Sequence, residues 1–384
     1  MSPKSFLAGM ALLMVAGLVV VEQREARAGE MTATPGYKVL EPIRHGNLTV
    51  FPVVAAKSYP TSEFLTLDEG LRSGEVIVTE SGGVQGLIRR QPPNGIWHDG
   101  AEVNRLVLVN NSKRPLLLLA GEIVSGGKQD RVIGKDRIVP PESDPIDLSV
   151  FCVEPGRWVA TSQHFGASEA MYGSAIGGPV HGSANPPMAI MAQPSVRAKA
   201  MADKDQNEVW NEVNKQKAAM TVEVAGVAPQ VQAEMAQTSS YAKVNENAEV
   251  KRQVDAMAKP IEQSYQSLIG QLRDRNAVGV VVAVNGRIIW ADVFASTDLL
   301  AKYWPKLVRS YASEAIVTRA KEMDVTEKQA QAFLGDMEGR KEMIESEPGV
   351  YRHTEVTGEG FKAFALTSLL PKTGFDVHIA KMAE

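Results

Sequence analysis

The residues whose types and spacing could do chemistry are concentrated in residues 121–158. Charged and amide side chains alternate there with glycines and a tryptophan, between apolar runs typical of buried strands. Lysine and arginine supply cations, glutamine can donate and accept, and paired glycines let backbone amides approach a ligand. This combination suits a phosphate, a carboxylate or an amide-bearing ring. The predicted ligand-binding residues are Gly126, Gly127, Lys128, Gln129, Arg131, Arg157 and Trp158.

A regular strand could not direct all of these side chains at one ligand. Alternation would place Lys128 and Asp130 on one face and Gln129 and Arg131 on the other. Only a bulge at the glycine pair before them would bring both sets to one side. Residues 154–158 could likewise form a salt-bridged turn covered by the tryptophan. Pairing within the protein and contact with a ligand therefore both remain open.

Three carboxylates are the candidates for acid–base catalysis: Glu122, Glu154 and Asp292. The sequence has no Gly-x-Ser-x-Gly elbow and no phosphate loop with a following Lys-Ser or Lys-Thr. The single cysteine, Cys152, lies between two apolar residues on a predicted strand, which favours a buried small hydrophobe over a nucleophile. Whether the protein is an enzyme stays undecided at this point.

The six histidines show no paired spacing on a strand or helix, so the sequence predicts no metal site, and it predicts no cofactor. They are His45, His98, His164, His181, His353 and His378. The formal net charge is −4, without a concentrated basic face, which argues against nucleic acid as a partner. A single thiol also excludes an intramolecular disulfide.

The amino terminus has the pattern of an export signal. Lys4 precedes an apolar run over residues 6–21, and Ala26-Arg27-Ala28 offers small residues where a signal peptidase cleaves. The sequence predicts a signal peptide over residues 1–28 and an exported, periplasmic protein without stable membrane insertion. A retained membrane anchor is the alternative, although the apolar run is shorter than the roughly 20 residues that span a bilayer.

Residues 29–163 are predicted to form a β-rich half, either a sandwich or an open barrel. One helix interrupts it, with a capping box from Thr66 to Glu69, and Gly70 and Gly74 keep that helix short. The predicted strands cover residues 48–55, 75–79, 84–90, 103–109, 115–120, 122–133 and 147–153.

Residues 164–194 are rich in Gly, Ala, Ser, Pro and Met, which predicts a flexible loop. Residues 195–384 form a predicted helical half, so the fold class is α+β. Its helices are expected over 196–220 and 250–272. The second helix has an apolar seam and is expected to bend near Pro260. Such a seam packs along a partner helix, so self-association through this helix is possible. Asn285-Gly286 between two β-branched runs predicts a β-hairpin over residues 278–294.

Further elements follow the hairpin. Ser296 is expected to cap a helix that continues from Pro305, and Thr326 with Gln329 forms a second capping box. Residues 350–369 and 376–380 are predicted terminal strands. On the second hairpin strand, alternation places Trp290, Asp292 and Phe294 on one face and Ile289, Ala291 and Val293 on the other. An acid between two aromatic residues is expected either at the rim of the sheet or in an ion pair.

Residues 47–315 resemble the family of domains named for association with ADP-ribosylglycohydrolases and rhodanese-phosphatases. The motifs that carry the resemblance are Gly121-Glu122, Gly127-Lys128-Gln129-Asp130-Arg131, and residues 152–158, 280–294 and 307–311. The family is essentially one of unknown function, so the resemblance implies no activity. It implies a link to ADP-ribose or NAD-derived metabolites. This chain differs from that setting because it is predicted to be exported and because it has the long Gly/Ala/Met-rich loop.

Three function classes follow from these residues. The favoured one is an exported binding module that holds a small anionic or nucleotide-like ligand through Lys128, Gln129 and Arg131, with Glu122 and Glu154 orienting the cations. The second is an enzyme that acts on such a ligand by carboxylate acid–base chemistry. The third is a structural or interaction protein of the envelope.

Overall fold

The computed structural model describes residues 36–81, 102–162, 164–166, 190–225, 229–272, 275–318 and 324–384. The predicted signal peptide, the predicted strand 84–90 and most of the predicted loop 164–194 lie outside these residues, as do His98 and His181. Within the described ranges the chain is an α+β protein with a closed six-stranded barrel, a three-stranded sheet and a nine-stranded sheet.

The first twelve strands are short. They are β1 (Tyr37–Val39), β2 (Ile43–His45), β3 (Leu48–Ala55), β4 (Leu65–Thr66), β5 (Val76–Thr79), β6 (Arg105–Asn110), β7 (Leu116–Leu118), β8 (Ile123–Gly126), β9 (Arg131–Ile133), β10 (Arg137–Val139), β11 (Ile146–Cys152) and β12 (His164–Gly166). The barrel closes in the order β11-β6-β5-β12-β8-β9, because β11 pairs with β6 through its first half and with β9 through its second. Strands β10, β7 and β4 form the small sheet.

The last six strands are longer. They are β13 (Asn276–Val284), β14 (Arg287–Phe294), β15 (Arg340–Glu347), β16 (Tyr351–Gly358), β17 (Phe361–Ser368) and β18 (Asp376–Ala383). They form the nine-stranded sheet together with β1, β2 and β3. Strand β3 pairs with β13, and the order from there is β3-β13-β14-β18-β17-β16-β15. Strands β1 and β2 both pair with β3 along its other side. The large sheet thus joins the beginning of the chain to its end.

The helices cover the sheets. They are α1 (Leu67–Ser73), α2 (Pro194–Ala198), a π-helix (Lys199–Asp203), α3 (Gln206–Ala225), α4 (Pro229–Gln237), α5 (Tyr241–Glu246), α6 (Ala248–Gln271), α7 (Thr297–Val317) and α8 (Glu327–Gly335). Helices α6 and α7 pack on each other and bury one face of the large sheet, while α8 covers the opposite face. In the part of the chain described, no helix has the length and apolar character needed to cross a membrane.

Local sequence signals are confirmed where capping and turn chemistry decide the structure. Helix α1 begins with the capping box of Thr66 and Glu69 and ends at Gly74, which has a φ of 71°. The β13–β14 hairpin turns at Asn285 and Gly286, both with positive φ. Helix α7 is capped by Ser296 and runs through Pro305 as a single helix. These elements depend on neighbours in the chain, so the sequence alone specifies them.

Two predictions about strands are wrong, and one strand was not predicted. Residues 122–133 form two paired strands, β8 and β9, and not one, because Gly126 and Gly127 have positive φ and start a turn. Strand β15 was not predicted, since its charged sequence lies at an exposed sheet edge where no apolar alternation is needed. In β14 the register shifts so that Ile288, and not Ile289, packs with Ala291 on one face.

The seam of α6 is filled inside this chain. Val250, Val254, Ile261 and Tyr265 are buried in the core shared with α7, and the Tyr265 ring lies 4.4 Å from that of Trp304. The partner helix that the seam pattern required is therefore α7. Helix α6 also continues through Pro260, since the packing of its apolar face outweighs the one backbone hydrogen bond that proline removes.

Candidate functional site

The turn between β8 and β9 presents the residues that the sequence singled out. Gly127 has a φ of 50°, and a Cβ there would lie 2.3 Å from the Phe165 ring and 2.7 Å from Glu80 Oε1. The Lys128 amide donates to the same Glu80 oxygen at 2.9 Å. Only glycine fits this position. Because residues 127–130 form a turn, the alternation expected for a strand does not apply to Lys128, Gln129 and Asp130.

Arg157 compensates two buried carboxylates beside this turn. Its Nη2 lies 2.6 Å from Glu154 Oε2 and 3.6 Å from Asp130 Oδ1, and its Nη1 donates to the Gly127 carbonyl at 2.9 Å. Asp130 also accepts from the Ser240 hydroxyl at 2.6 Å. Burial raises the pKa of Asp130, and the Glu154 carboxylate raises it further. The salt-bridged turn proposed for Glu154 and Arg157 is present, and it holds the hairpin to α5.

Arg131 forms no ion pair of this kind with the described residues, although Glu80 and Asp130 are near enough to raise its pKa against the effect of burial. Its side chain is fully buried, and its one hydrogen bond runs from Nη1 to the Asp130 carbonyl at 3.5 Å. Among the described residues, Nε and Nη2 have no hydrogen-bond partner. Burial lowers the pKa of this guanidinium, and the nearby Arg157 lowers it as well. An unpaired buried cation is costly, which makes Arg131 the exceptional residue of the barrel.

The free nitrogens of Arg131 share one edge of the guanidinium, the edge that binds a carboxylate or phosphate with two parallel hydrogen bonds. Arg105, on the barrel strand β6, shows the same edge in use. Its Nε donates to Asp147 Oδ1 at 2.8 Å and its Nη2 donates to Oδ2. The barrel therefore contains one filled arginine fork and one that no described residue fills.

Trp158 connects Arg131 to the surface. Lys128 Nζ lies 4.9 Å from the centre of the indole ring and Arg131 Cζ lies 6.0 Å from it. The tryptophan residue is 43% exposed. Two further buried oxygens of this hairpin, Ser125 Oγ and Gln129 Oε1, also lack partners in the described part of the chain. We call Arg131, Lys128, Trp158 and these two oxygens the Arg131 site.

Glu122, a candidate for catalysis and for orienting the cations, lies in a different ionic group. Its Oε1 is 2.5 Å from Lys306 Nζ on α7, and its Oε2 accepts from the Leu119 amide at 2.7 Å. The same ammonium is 2.5 Å from Asp68 on α1. Burial raises the pKa of Glu122, with the Asp68 charge acting in the same direction. This group joins α1, the barrel and α7.

Asp292 lies at the centre of a third, fully buried ionic group. Arg197 donates two hydrogen bonds of 2.9 Å to its carboxylate, and Tyr311 donates a further one. His378 bridges Asp292 to Asp136 at 3.1 and 2.6 Å. Although burial opposes it, Arg197 with His378 holds the pKa of Asp292 well below its usual range. We call these five residues the Asp292 network.

The three carboxylates proposed for catalysis thus belong to three separate ionic groups, and each is buried with a cationic partner. Cys152 is buried, and burial raises the pKa of its thiol, which fits the predicted small hydrophobe. Within the described ranges, no group of three or more His, Cys, Asp and Glu side chains is placed to hold a metal ion.

The sequence missed the partners of these carboxylates. Arg197, Lys306 and His378 stand far along the chain from the acids that they contact, so no local spacing signals the pairing. A signal exists only at single positions. Asp292 and His378 each interrupt an otherwise apolar strand, where a polar side chain is tolerated only with a partner.

The fold and the site define an α+β protein in which a small barrel, docked on a large antiparallel sheet, carries a buried arginine with an open hydrogen-bonding edge. The chain belongs to the family of the ARG and Rhodanese-Phosphatase-superfamily-associated Protein domain, whose sequence model matches residues 36–381. The resemblance stated from the motifs is confirmed, and the match extends beyond residues 47–315 at both ends. Neither a curated protein nor a solved structure is significantly similar to this chain.

Proposed function

We propose that this protein is a binding module for a small anion, and that the Arg131 site is where the anion binds. The observation that carries the proposal is that Nε and Nη2 of the buried Arg131 guanidinium have no hydrogen-bond partner among the described residues. An anion there would accept two charge-assisted hydrogen bonds and compensate a charge that otherwise destabilises the fold. The filled fork of Arg105 and Asp147 supports this assignment of the edge.

The surroundings of Arg131 favour a phosphate on a larger, flat molecule. The Lys128 ammonium lies 4.9 Å from the centre of the Trp158 ring that Arg131 also approaches, so it supplies a second cation, and the partly exposed indole can stack with a base. A nucleotide-like ligand of the ADP-ribose type satisfies both groups. The association in the family name points to the same class of molecule.

Binding without turnover is the better supported activity. Glu122 and Asp292 are fully buried and Glu154 is 3% exposed, and each is engaged by a cation. A general acid or base must reach the proton that it transfers, directly or through one water. Nothing in the three ionic groups leaves such a carboxylate facing the Arg131 site.

The test is titration of the purified protein with inorganic phosphate, pyrophosphate and ADP-ribose. Calorimetry measures binding, and thermal unfolding measures the melting temperature with and without each anion. We expect saturable binding with a raised melting temperature, since a ligand that binds only the folded state stabilises it by about 2.7 kcal/mol at a hundredfold excess over Kd. Arg131→Met should abolish the shift and Lys128→Ala should weaken it.

Matched controls separate specific binding from loss of charge. Arg105→Ala removes an arginine from another strand of the same barrel, and Lys113→Ala removes an exposed lysine from the same half of the chain. Both variants should respond to the anions as the unsubstituted protein does. The proposal fails if none of the three anions raises the melting temperature, or if Arg131→Met responds like Arg105→Ala.

Export is the second part of the proposal. It is supported by the signal-like pattern of residues 1–28, which predicts that the mature chain begins at Gly29. Fractionation of bacterial cells that express the full chain, with amino-terminal sequencing of the product, tests it. A full-length protein retained in the membrane fraction would support the anchor instead.

A further inference from the structure

A cavity of about 320 Å³ lies where the barrel, the π-helix and the large sheet meet. The barrel contributes residues around Lys135 and Phe151, the π-helix contributes Ala200 and Met201, and the sheet closes the other side. The sheet residues are Ile344, His353 and Phe364. Junctions between structural layers are frequent places for small-molecule sites, and this volume suits a molecule of about one ring.

His353 has an unusual position in the cavity wall. Its side chain is 2% exposed, and neither ring nitrogen has a hydrogen-bond partner among the described residues. The ring stacks on Phe364, with 6.0 Å between the ring centres. Burial lowers the pKa of His353 to about 4, so the imidazole is neutral and offers one donor and one acceptor. A buried group with both functions unused indicates a missing partner.

The rest of the lining has two kinds of surface. Phe151, Met201 and Ile344 give apolar walls, while Lys135 and Lys204 bring two ammonium groups. Lys135 pairs with Glu345, and Lys204 lies 3.0 Å from Glu355. Burial lowers the pKa of Lys135, and the neighbouring cations Arg137 and Lys204 lower it further. Each of these two ammonium groups already faces one carboxylate, and a ligand carboxylate placed between them would share both cations with Glu345 and Glu355.

The π-helix is a second, independent indication of a site. Residues 199–203 form a π-helix, a rare conformation that is frequent at functional sites, and it ends at Lys204 with a φ of 54°. A lysine in the left-handed region is uncommon and costs free energy. The backbone here is thus held in an unfavourable conformation where it forms the cavity wall.

We propose that this cavity binds a small aromatic acid, with a hydroxyl or amide group on the His353 imidazole and its carboxylate beside Lys135 and Lys204. The aromatic ring of the ligand would pack between the apolar side chains of Phe151, Met201 and Phe364. The site is separate from the Arg131 site, and the inference does not depend on the function proposed for that site.

The probe is 4-hydroxybenzoate, compared with benzoate, which lacks the hydroxyl, and 4-hydroxybenzyl alcohol, which lacks the carboxylate. Ring-nitrogen NMR signals of His353 and the methyl signal of Met201 report binding. We expect 4-hydroxybenzoate to shift both signals saturably, and each truncated probe to bind about tenfold more weakly. If none of the three probes shifts either signal at millimolar concentration, the proposal is wrong.

His353→Phe removes both nitrogens and keeps a ring on Phe364. Because these nitrogens have no partner within the described chain, the variant should keep or raise the melting temperature while losing the response of the Met201 methyl group. His45→Phe, at an exposed histidine, is the matched control and should bind the probe normally. Arg131→Met should also bind it normally. A Met201 response that survives in His353→Phe would overturn the assignment of His353.

Discussion

Two buried arginines of this protein have opposite surroundings. Arg197 donates two hydrogen bonds to Asp292 and one to the Ala120 carbonyl, and its guanidinium lies 4.4 Å from the Trp290 ring centre. Arg131 is also buried, but it has one long bond to a carbonyl, and its Nε and Nη2 have no partner among the described residues. The first cation is fully paired within the chain, while the described residues leave two nitrogens of the second unpaired.

This difference separates a structural charge from a functional one. In the Asp292 network, arginine, histidine and tyrosine all contact one carboxylate and join helices α2 and α7, the connection between β9 and β10, and strands β14 and β18 of the large sheet. Such a group fixes the relative position of the elements that it joins. The Arg131 guanidinium is itself buried, but it lies at a turn beside a tryptophan that is 43% exposed, and this is where we propose that a ligand enters.

Breaking the complete network should have the largest effect. Arg197→Met leaves the buried Asp292 carboxylate without its main partner, and we expect the free energy of unfolding to fall by about 3–5 kcal/mol. Urea denaturation measures the change. Arg105→Ala, at a partly exposed pair, should cost at most about 1 kcal/mol. Equal losses in the two variants would show that burial does not distinguish these ion pairs.

The same network predicts a pH dependence. Asp136 and Asp292 raise the pKa of His378 from 6.5 to about 9 despite its burial. A raised pKa means that protonated His378 stabilises the fold fully below pH 6.5 and that this contribution is lost as the pH rises through about 9. The loss should approach about 3 kcal/mol.

The measurement is urea denaturation of the protein and of His378→Gln over this pH range. The pH-dependent difference between the two should grow smaller as His378 loses its proton. His353→Phe is the control, because the lowered pKa of His353, about 4, places its titration outside the range. A constant difference between the protein and His378→Gln would contradict a protonated His378.

Arg131 should behave in the opposite sense. Arg131→Met replaces an unpaired buried charge by an apolar side chain, and we expect the ligand-free protein to become more stable by about 1–3 kcal/mol. Arg157→Met, which removes the partner of Asp130 and Glu154, should destabilise it. Chemical denaturation without added anions compares them. A destabilised Arg131→Met would show that the chain itself satisfies the guanidinium.

The smallest effect on stability is expected at Trp158. Because the residue is 43% exposed, Trp158→Ala should change the free energy of unfolding by less than about 0.5 kcal/mol. The same variant should bind ADP-ribose at least about tenfold more weakly and bind inorganic phosphate almost unchanged, since stacking contributes about 1–3 kcal/mol per base. Calorimetry of both ligands checks this, and an equal loss for both would assign Trp158 to the anion and not to the base.

Parts of the candidate site could be predicted from sequence. The residues from Gly126 to Arg131 were singled out as a group, and Glu154 with Arg157 was recognised as a possible turn ion pair, because these partners are close in the chain. The splitting of residues 122–133 into two strands was missed, since the glycine pair was interpreted as a bulge within one strand and not as the start of a turn. The cavity at His353 gave no sequence signal, because its walls come from three distant segments.

The sequence by itself determined the family, the α+β class, and the elements that start and stop on local chemistry, such as α1, α7 and the β13–β14 hairpin. Capping boxes, positive-φ residues and apolar periodicity act over a few residues and need no tertiary information. Only the tertiary structure decided which buried charges are paired. That choice depends on contacts between segments far apart in the chain, and it left Asp292 enclosed by partners and Arg131 with an open edge.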